Sequence, residues 1–252
     1  MELVPLLLIF FATSIVSVVT GSTSLITVPA MLQFGIEPRS AVATNMLALT
    51  LMSVGGSLSF RGSNVIDRRR SGLLILFTLA GSILGALLLF VVPSKALPVI
   101  IALFMIGVAL FSTIKRQAGV RLTECQPSRE REMAGYGATF VLGVYGGFFS
   151  GGYVTLLTAA FVALFGMTFV QAISTTKVVN IFSSLVATLI FAWRGLVDYR
   201  LGIVMGVVMF AGAFIGGRVA LRLSNAWLRR IFLTTVIALA LKTLLYDLLL
   251  HR

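Results

Sequence analysis

The sequence predicts an all-α polytopic membrane protein made of two inverted-topology repeats, each opening with a glycine-broken helix pair that either spans or re-enters the bilayer. Three observations predict it. The 252 residues are 58% hydrophobic and 11% charged, more apolar surface than a soluble domain of this length could hide from water. The apolar runs between polar breaks are about 17 to 23 residues long, which suits helices crossing a hydrocarbon core of roughly 30 Å, and they lack the dyad alternation of barrel strands. Finally, Gly21, Gly35, Ala41, Thr44, Gly81 and Gly85 recur 131 positions later as Gly152, Gly166, Ala172, Thr175, Gly212 and Gly216. Four of the ten glycines in the first half land on glycine in the second, where this composition would give about one by chance.

The first segment, 3–20, follows Glu2 with no basic leader and opens at Gly21 into more apolar sequence, so it reads as a membrane segment rather than a cleaved signal. The second, 22–35, has about 14 residues, some 21 Å of helix, and follows a glycine break. Such a pair is either a broken span or a re-entrant hairpin. Segments 40–60, 71–92 and 96–115 complete the first repeat, residues 1–115. A polar linker, 116–133, leads to the second repeat, 134–252, with segments 134–150, 153–166, 170–192, 201–222 and 227–249. Gly81-Ser-Ile-Leu-Gly85 and Gly212-Ala-Phe-Ile-Gly216 are small-xxx-small patterns that let helix backbones approach closely, either between the halves or in a homodimer.

Basic residues set the orientation, because cytoplasmic loops collect them. With the 61–71 loop inside, 13 of the 20 Lys and Arg residues fall inside: four at Arg61–Arg70, five in or beside the linker, and Arg218, Arg222, Arg229 and Arg230. Both termini then lie outside, in the periplasm of a cell whose inner membrane holds the chain. The basic burst lies between the third and fourth segments of one half and between the fourth and fifth of the other. Matching segments therefore cross in opposite senses, which is the inverted repeat.

Cys125 is the only cysteine and His251 the only histidine, so no internal disulfide and no thiolate or imidazole metal cluster is expected, and no cofactor. A net charge of +12 in short bursts between apolar runs leaves no basic domain to hold nucleic acid. The partners expected are the lipid bilayer and a small solute.

Lys177 is the charge set well inside an apolar segment. An ammonium at mid-membrane costs about 2.5 to 3.5 kcal/mol on insertion scales, and no carboxylate is near it in sequence. On a helix, Ser174, Lys177, Asn180, Ser184 and Thr188 share an arc of roughly 120°. The polar stripe admits two readings: a snorkelling lysine among interhelical hydroxyls, or an anion-binding position. Helices restarting at Ser22-Thr23-Ser24 and Tyr153-Val-Thr155 would present free N–H groups and a positive dipole end to the same anion.

The pattern of a glycine break, Pro29, Gly35 and Ala41-Val-Ala-Thr44-Asn45, repeated as Gly146-Gly-Phe-Phe-Ser-Gly151-Gly152-Tyr153, Gly166-Met-Thr-Phe-Val-Gln171-Ala172 and Thr175-Thr176-Lys177-Val-Val-Asn180, resembles the TauE/SafE sulfite exporter family over nearly the whole chain. The resemblance implies transport of sulfite, sulfoacetate or a related small sulfonate or carboxylate, while the residues alone reach only a small anion. The candidate substrate-binding set is Lys177, Thr175, Thr176, Asn180, Gly151, Gly152, Tyr153, Gly21, Ser22, Thr23, Thr44 and Asn45. The expected function is a secondary transporter, in the export direction, with its site at the repeat interface. The competing readings are an anion channel, a structural membrane protein without transport, and a membrane enzyme, since Ser174-Thr-Thr-Lys177 formally matches S-x-x-K.

Overall fold

A computed structural model describes residues 3–21, 23–63, 65–97, 99–100, 103, 128–224, 226–227 and 230. Most of the expected fifth segments and of the linker, with Cys125, His251 and the candidate Ser22, lie outside the described residues. Those described form helices and turns: α1 (Leu3–Thr20), α2 (Ser24–Gln33), α3 (Pro38–Ser59), α4 (Arg68–Val91), a 3-10 turn (Ser94–Ala96), α5 (Arg129–Phe148), α6 (Tyr153–Phe165), α7 (Phe169–Trp193) and α8 (Tyr199–Arg222). No strand occurs among them. Helices α3, α4, α7 and α8 are long and apolar enough to cross a membrane. At 10 and 13 residues, α2 and α6 reach only about 15 and 20 Å.

The helix starts are written locally. Glu37 accepts the amide of Ser40 at 2.8 Å, and Pro38 follows where a missing N–H costs nothing. Asp67 and Asp198 cap α4 and α8 by accepting from the amides of Arg70 and Leu201. A capping box of Thr168 and Gln171 opens α7. Arg68 and Tyr199 stand 131 positions apart, as do Pro38 and Phe169, so the sequence period reappears in the helix starts.

Contacts between the halves fix the running directions. On α4 and α5, Arg70 meets Glu132, Thr78 meets Gly143 and Gly85 meets Val144 and Phe148, so the two run parallel. Likewise α1 runs parallel to α8, because Gly212 lies on Ser14 and Gly216 on Ile15. Helix α8 follows α3, with Gly202 on Thr44 and Gly217 on Ser59, and α4 follows α7 through Ser82 on Ser183 and Phe90 on Phe191. Where α3 meets α7 the order reverses, since Lys177 crosses Gly56 while Asn180 reaches back to Ser53.

The glycine pairs expected to join the halves or a dimer are used within the chain. A Cβ at Gly85 or Gly216 would overlap a carbonyl oxygen of α5 or α1, so bare backbone sets these helix separations. Helices α5 and α6 form an antiparallel hairpin: Phe165 returns against Gly135, and Arg131 donates to the carbonyl of Ala163 at 2.8 Å. One end of the bundle thereby collects the start of α4, the start of α5 and the end of α8, with Arg61, Arg69, Arg131, Arg218 and Arg222. The other carries Arg39, Arg194 and Arg200. Arg70 is ion-paired to Asp67 at 2.9 Å and Glu132 at 2.8 Å within the basic end.

Candidate functional site

Buried hydroxyls and amides fill the middle of the bundle, and Lys177 lies among them with 2% of its surface exposed. Its position is eight residues into α7, about 12 Å from the helix start at the basic end. The methylene stem lies across Gly56, where even a methyl group would come within 3.4 Å of Cδ. The ammonium donates to the carbonyl of Ser17 at 3.2 Å. That carbonyl belongs to the last turn of α1 and also accepts the amide of Gly21 at 2.8 Å, so the cation sits at the negative end of a helix dipole. Among the described residues, no carboxylate pairs with it.

The same centre gathers groups from α3 and from Thr23 ahead of α2, with Asn180 of α7 itself. Thr23 donates its hydroxyl to Ser17 Oγ and lies 3.5 Å from Met52 Sδ. Next along α3, Ser53 Oγ accepts from Asn180 Nδ2 at 2.7 Å. Asn180 Oδ1 is buried and has no hydrogen-bond partner among the described residues. Lys177, Asn180 and Thr23 of the predicted set thus converge with Ser17, Ser53 and Gly56, which sequence reasoning missed. Ser17 contributes a backbone carbonyl, and no residue type announces that role.

The other predicted residues bear on the centre differently. Gly21 (φ 72°) and Gly152 (φ 78°) are left-handed at the two breaks, a conformation glycine takes without strain. A Cβ on Gly21 would lie 2.6 Å from the amide nitrogen of Thr155, so the start of α6 abuts the end of α1. Thr155 Oγ1 donates to the carbonyl of Thr20 at 2.6 Å. The Gly151 carbonyl accepts from Tyr145 OH, and Tyr153 OH pairs with Thr78 Oγ1 at 2.6 Å. Asn45 is spent on α2, accepting from Thr27 at 2.7 Å and donating to Ser24 at 2.9 Å. Thr176 meets Thr158 at 3.4 Å in the matching place of the second half.

Thr44 and Thr175 form a reciprocal pair. Thr175 Oγ1 accepts the amide of Asp67 at 3.2 Å, and Thr44 Oγ1 accepts the amide of Asp198 at 3.0 Å. Beside them, Ser174 donates to the carbonyl of Val65 at 3.1 Å and Ser40 to that of Leu196 at 2.9 Å. The loop after α3 is strapped to the start of α7, and the loop after α7 to the start of α3. Ser174 therefore points its hydroxyl at a loop while Lys177 points at α1, so the S-x-x-K spacing makes no nucleophile and base pair in this arrangement. No group of three or more metal-ligating residues occurs among the described residues.

What remains is a buried, hydroxyl-lined centre around the Lys177 ammonium, fitted for electrostatic binding. The chain matches the family model described as Sulfite exporter TauE/SafE over residues 6–243. A probable membrane transporter protein, ORF9, of Sinorhizobium sp is 30% identical over 93% of this chain and 89% of its own length. The probable membrane transporter protein YfcA of Escherichia coli (strain K12) is 30% identical over 91% of this chain and 84% of its own. A probable membrane transporter protein of Haemophilus influenzae is 25% identical over 87% of this chain and 85% of its own. No solved structure matches the chain.

Proposed function

Because the chain belongs to the sulfite exporter TauE/SafE family and is a membrane transporter, we propose that it exports a small sulfur-containing monoanion, such as sulfite in its hydrogen form or a sulfonate, through a site at Lys177. The observation that carries this reading is the buried ammonium, which has no carboxylate partner among the described residues and is held only by a helix-end carbonyl. An anion displaces that carbonyl and takes a charge-assisted bond in its place. Thr23, Ser53 and Asn180 complete the ring of groups. Thr175, Thr176, Thr44 and Asn45 act around it by holding the surrounding helices.

The opposite running of α3 and α7 supports an inverted repeat, as do the parallel pairs that put α4 against α7 and α8 against α3. In that arrangement the hairpin of α5 and α6 enters and leaves at the basic, cytoplasmic end, and among the described helices α3, α4, α7 and α8 cross the bilayer. The two straps at Thr44 and Thr175 lie at opposite ends and serve as outer and inner gates, with both closed here. Rocking of the halves opens them in turn. An inside-negative potential contributes about 2.3 kcal/mol per charge per 100 mV, so a monoanion leaves downhill without a coupling ion.

The test is efflux of hydrogen sulfite, sulfoacetate, sulfate and chloride from proteoliposomes under an imposed potential, wild type against Lys177→Met. Saturable, potential-dependent flux of a sulfur monoanion, lost in the variant, is the expected result. Equal flux through both proteins would end the proposal.

A further inference from the structure

The unpaired oxygen of Asn180 narrows the ligand class, on the assumption that Lys177 marks the anion site. Asn180 is 2% exposed and lies one helical turn beyond Lys177 on the same face of α7. Its amide nitrogen is committed to Ser53, while its amide oxygen has no donor among the described residues. A buried carbonyl without a donor loses roughly 1 to 3 kcal/mol of solvation with nothing in return, so such a group calls for an occupant that supplies the donor. Among the described residues none of its neighbours does: Ser53 accepts from the amide nitrogen, and the bonds of Lys177 and Thr23 go to Ser17.

We infer that Asn180 is a specificity-determining residue whose amide oxygen accepts a hydrogen bond from the transported anion, so that the site selects monoanions bearing their own O–H or N–H donor. The ligand presents two faces. Its charged oxygens meet the Lys177 ammonium, and its donor meets Asn180 Oδ1. Hydrogen sulfite, hydroxy-sulfonates and aminosulfonates fit this description. Sulfate, chloride, nitrate and alkyl sulfonates do not, because each offers acceptors alone to a carbonyl that needs a donor. Sites built to bond a substrate hydroxyl reject the analogue lacking it far more strongly than apolar pockets reject an added one.

The test uses the full chain in proteoliposomes and an isosteric pair, 2-hydroxyethanesulfonate and 1-propanesulfonate, which differ by O–H against CH3. Each is measured as a competitor of hydrogen sulfite efflux and as a ligand that raises the melting temperature of the purified protein. The hydroxylated anion is expected to compete at least about tenfold better in the wild type. In Asn180→Leu the ratio of the two inhibition constants should fall to about one, because the acceptor that separates the two anions is gone. Equal competition, or a preference for propanesulfonate, in the wild type would overturn the inference while leaving the anion site intact, and this comparison needs no variant to fold. A wild type that neither moves hydrogen sulfite nor binds either sulfonate would overturn the anion site and the inference together.

Discussion

Lys177 shows how one residue can be read from sequence and still surprise in three dimensions. Its isolation from carboxylates in sequence persists among the described residues, but its partner is the Ser17 carbonyl, 160 positions away. Lys177→Met removes the charge and keeps the length of the stem, so the chain should fold and lose anion binding; unchanged binding by calorimetry would count against the site. The breaks make a separate residue-scale prediction. Gly152 holds φ 78° at the start of α6, where an alanine pays about 1 to 2 kcal/mol for the left-handed region. Gly152→Ala should therefore lower the melting temperature in detergent. Gly137→Ala, at an open position inside α5, should hold or raise it, because alanine suits a helix interior better.

At the scale of elements, the two halves are held by bare backbone and by straps, and the two devices predict different phenotypes. Gly85 of α4 and Gly216 of α8 each meet a carbonyl of a helix from the other half. Gly85→Leu should abolish accumulation of folded protein in the membrane, read by size-exclusion chromatography after extraction, because no flexible side chain is there to yield. Thr44→Val and Thr175→Val keep the side-chain shape and remove one acceptor each. A lost acceptor leaves a backbone amide unpaired and should loosen one strap by roughly 1 to 2 kcal/mol. Reagent access to a cysteine at position 17 should then rise from one side of the membrane in Thr44→Val and from the opposite side in Thr175→Val. Access rising from the same side in both would show that the straps are not paired gates.

For the whole molecule, the running directions bring the start of α4, the start of α5 and the end of α8 to one basic end. A cysteine replacing Arg69 should react with an impermeant maleimide only from the cytoplasmic side, and one replacing Arg194 only from the periplasmic side; labelling of position 69 from outside would reverse the orientation. By itself the sequence determined the all-helical class, the boundaries of α1, α3, α4, α7 and α8 to within a few residues, the 131-residue period and the family. Hydrophobic run length, capping residues such as Asp67 and Thr168, and glycine spacing are local signals that need no partner to be legible. It also singled out Lys177 and Asn180, because a charge and an amide in an apolar run are costly wherever they point. Only the tertiary structure decided what those residues touch. Ser17 and Ser53 join the centre through long-range contacts with no local signature. Thr44 and Thr175, candidate ligands in the sequence, accept the amides of Asp198 and Asp67, which come from the far half of the chain. Helix formation follows from short-range chemistry, whereas a buried cluster drawn from both halves of the chain exists only once two distant segments have chosen each other.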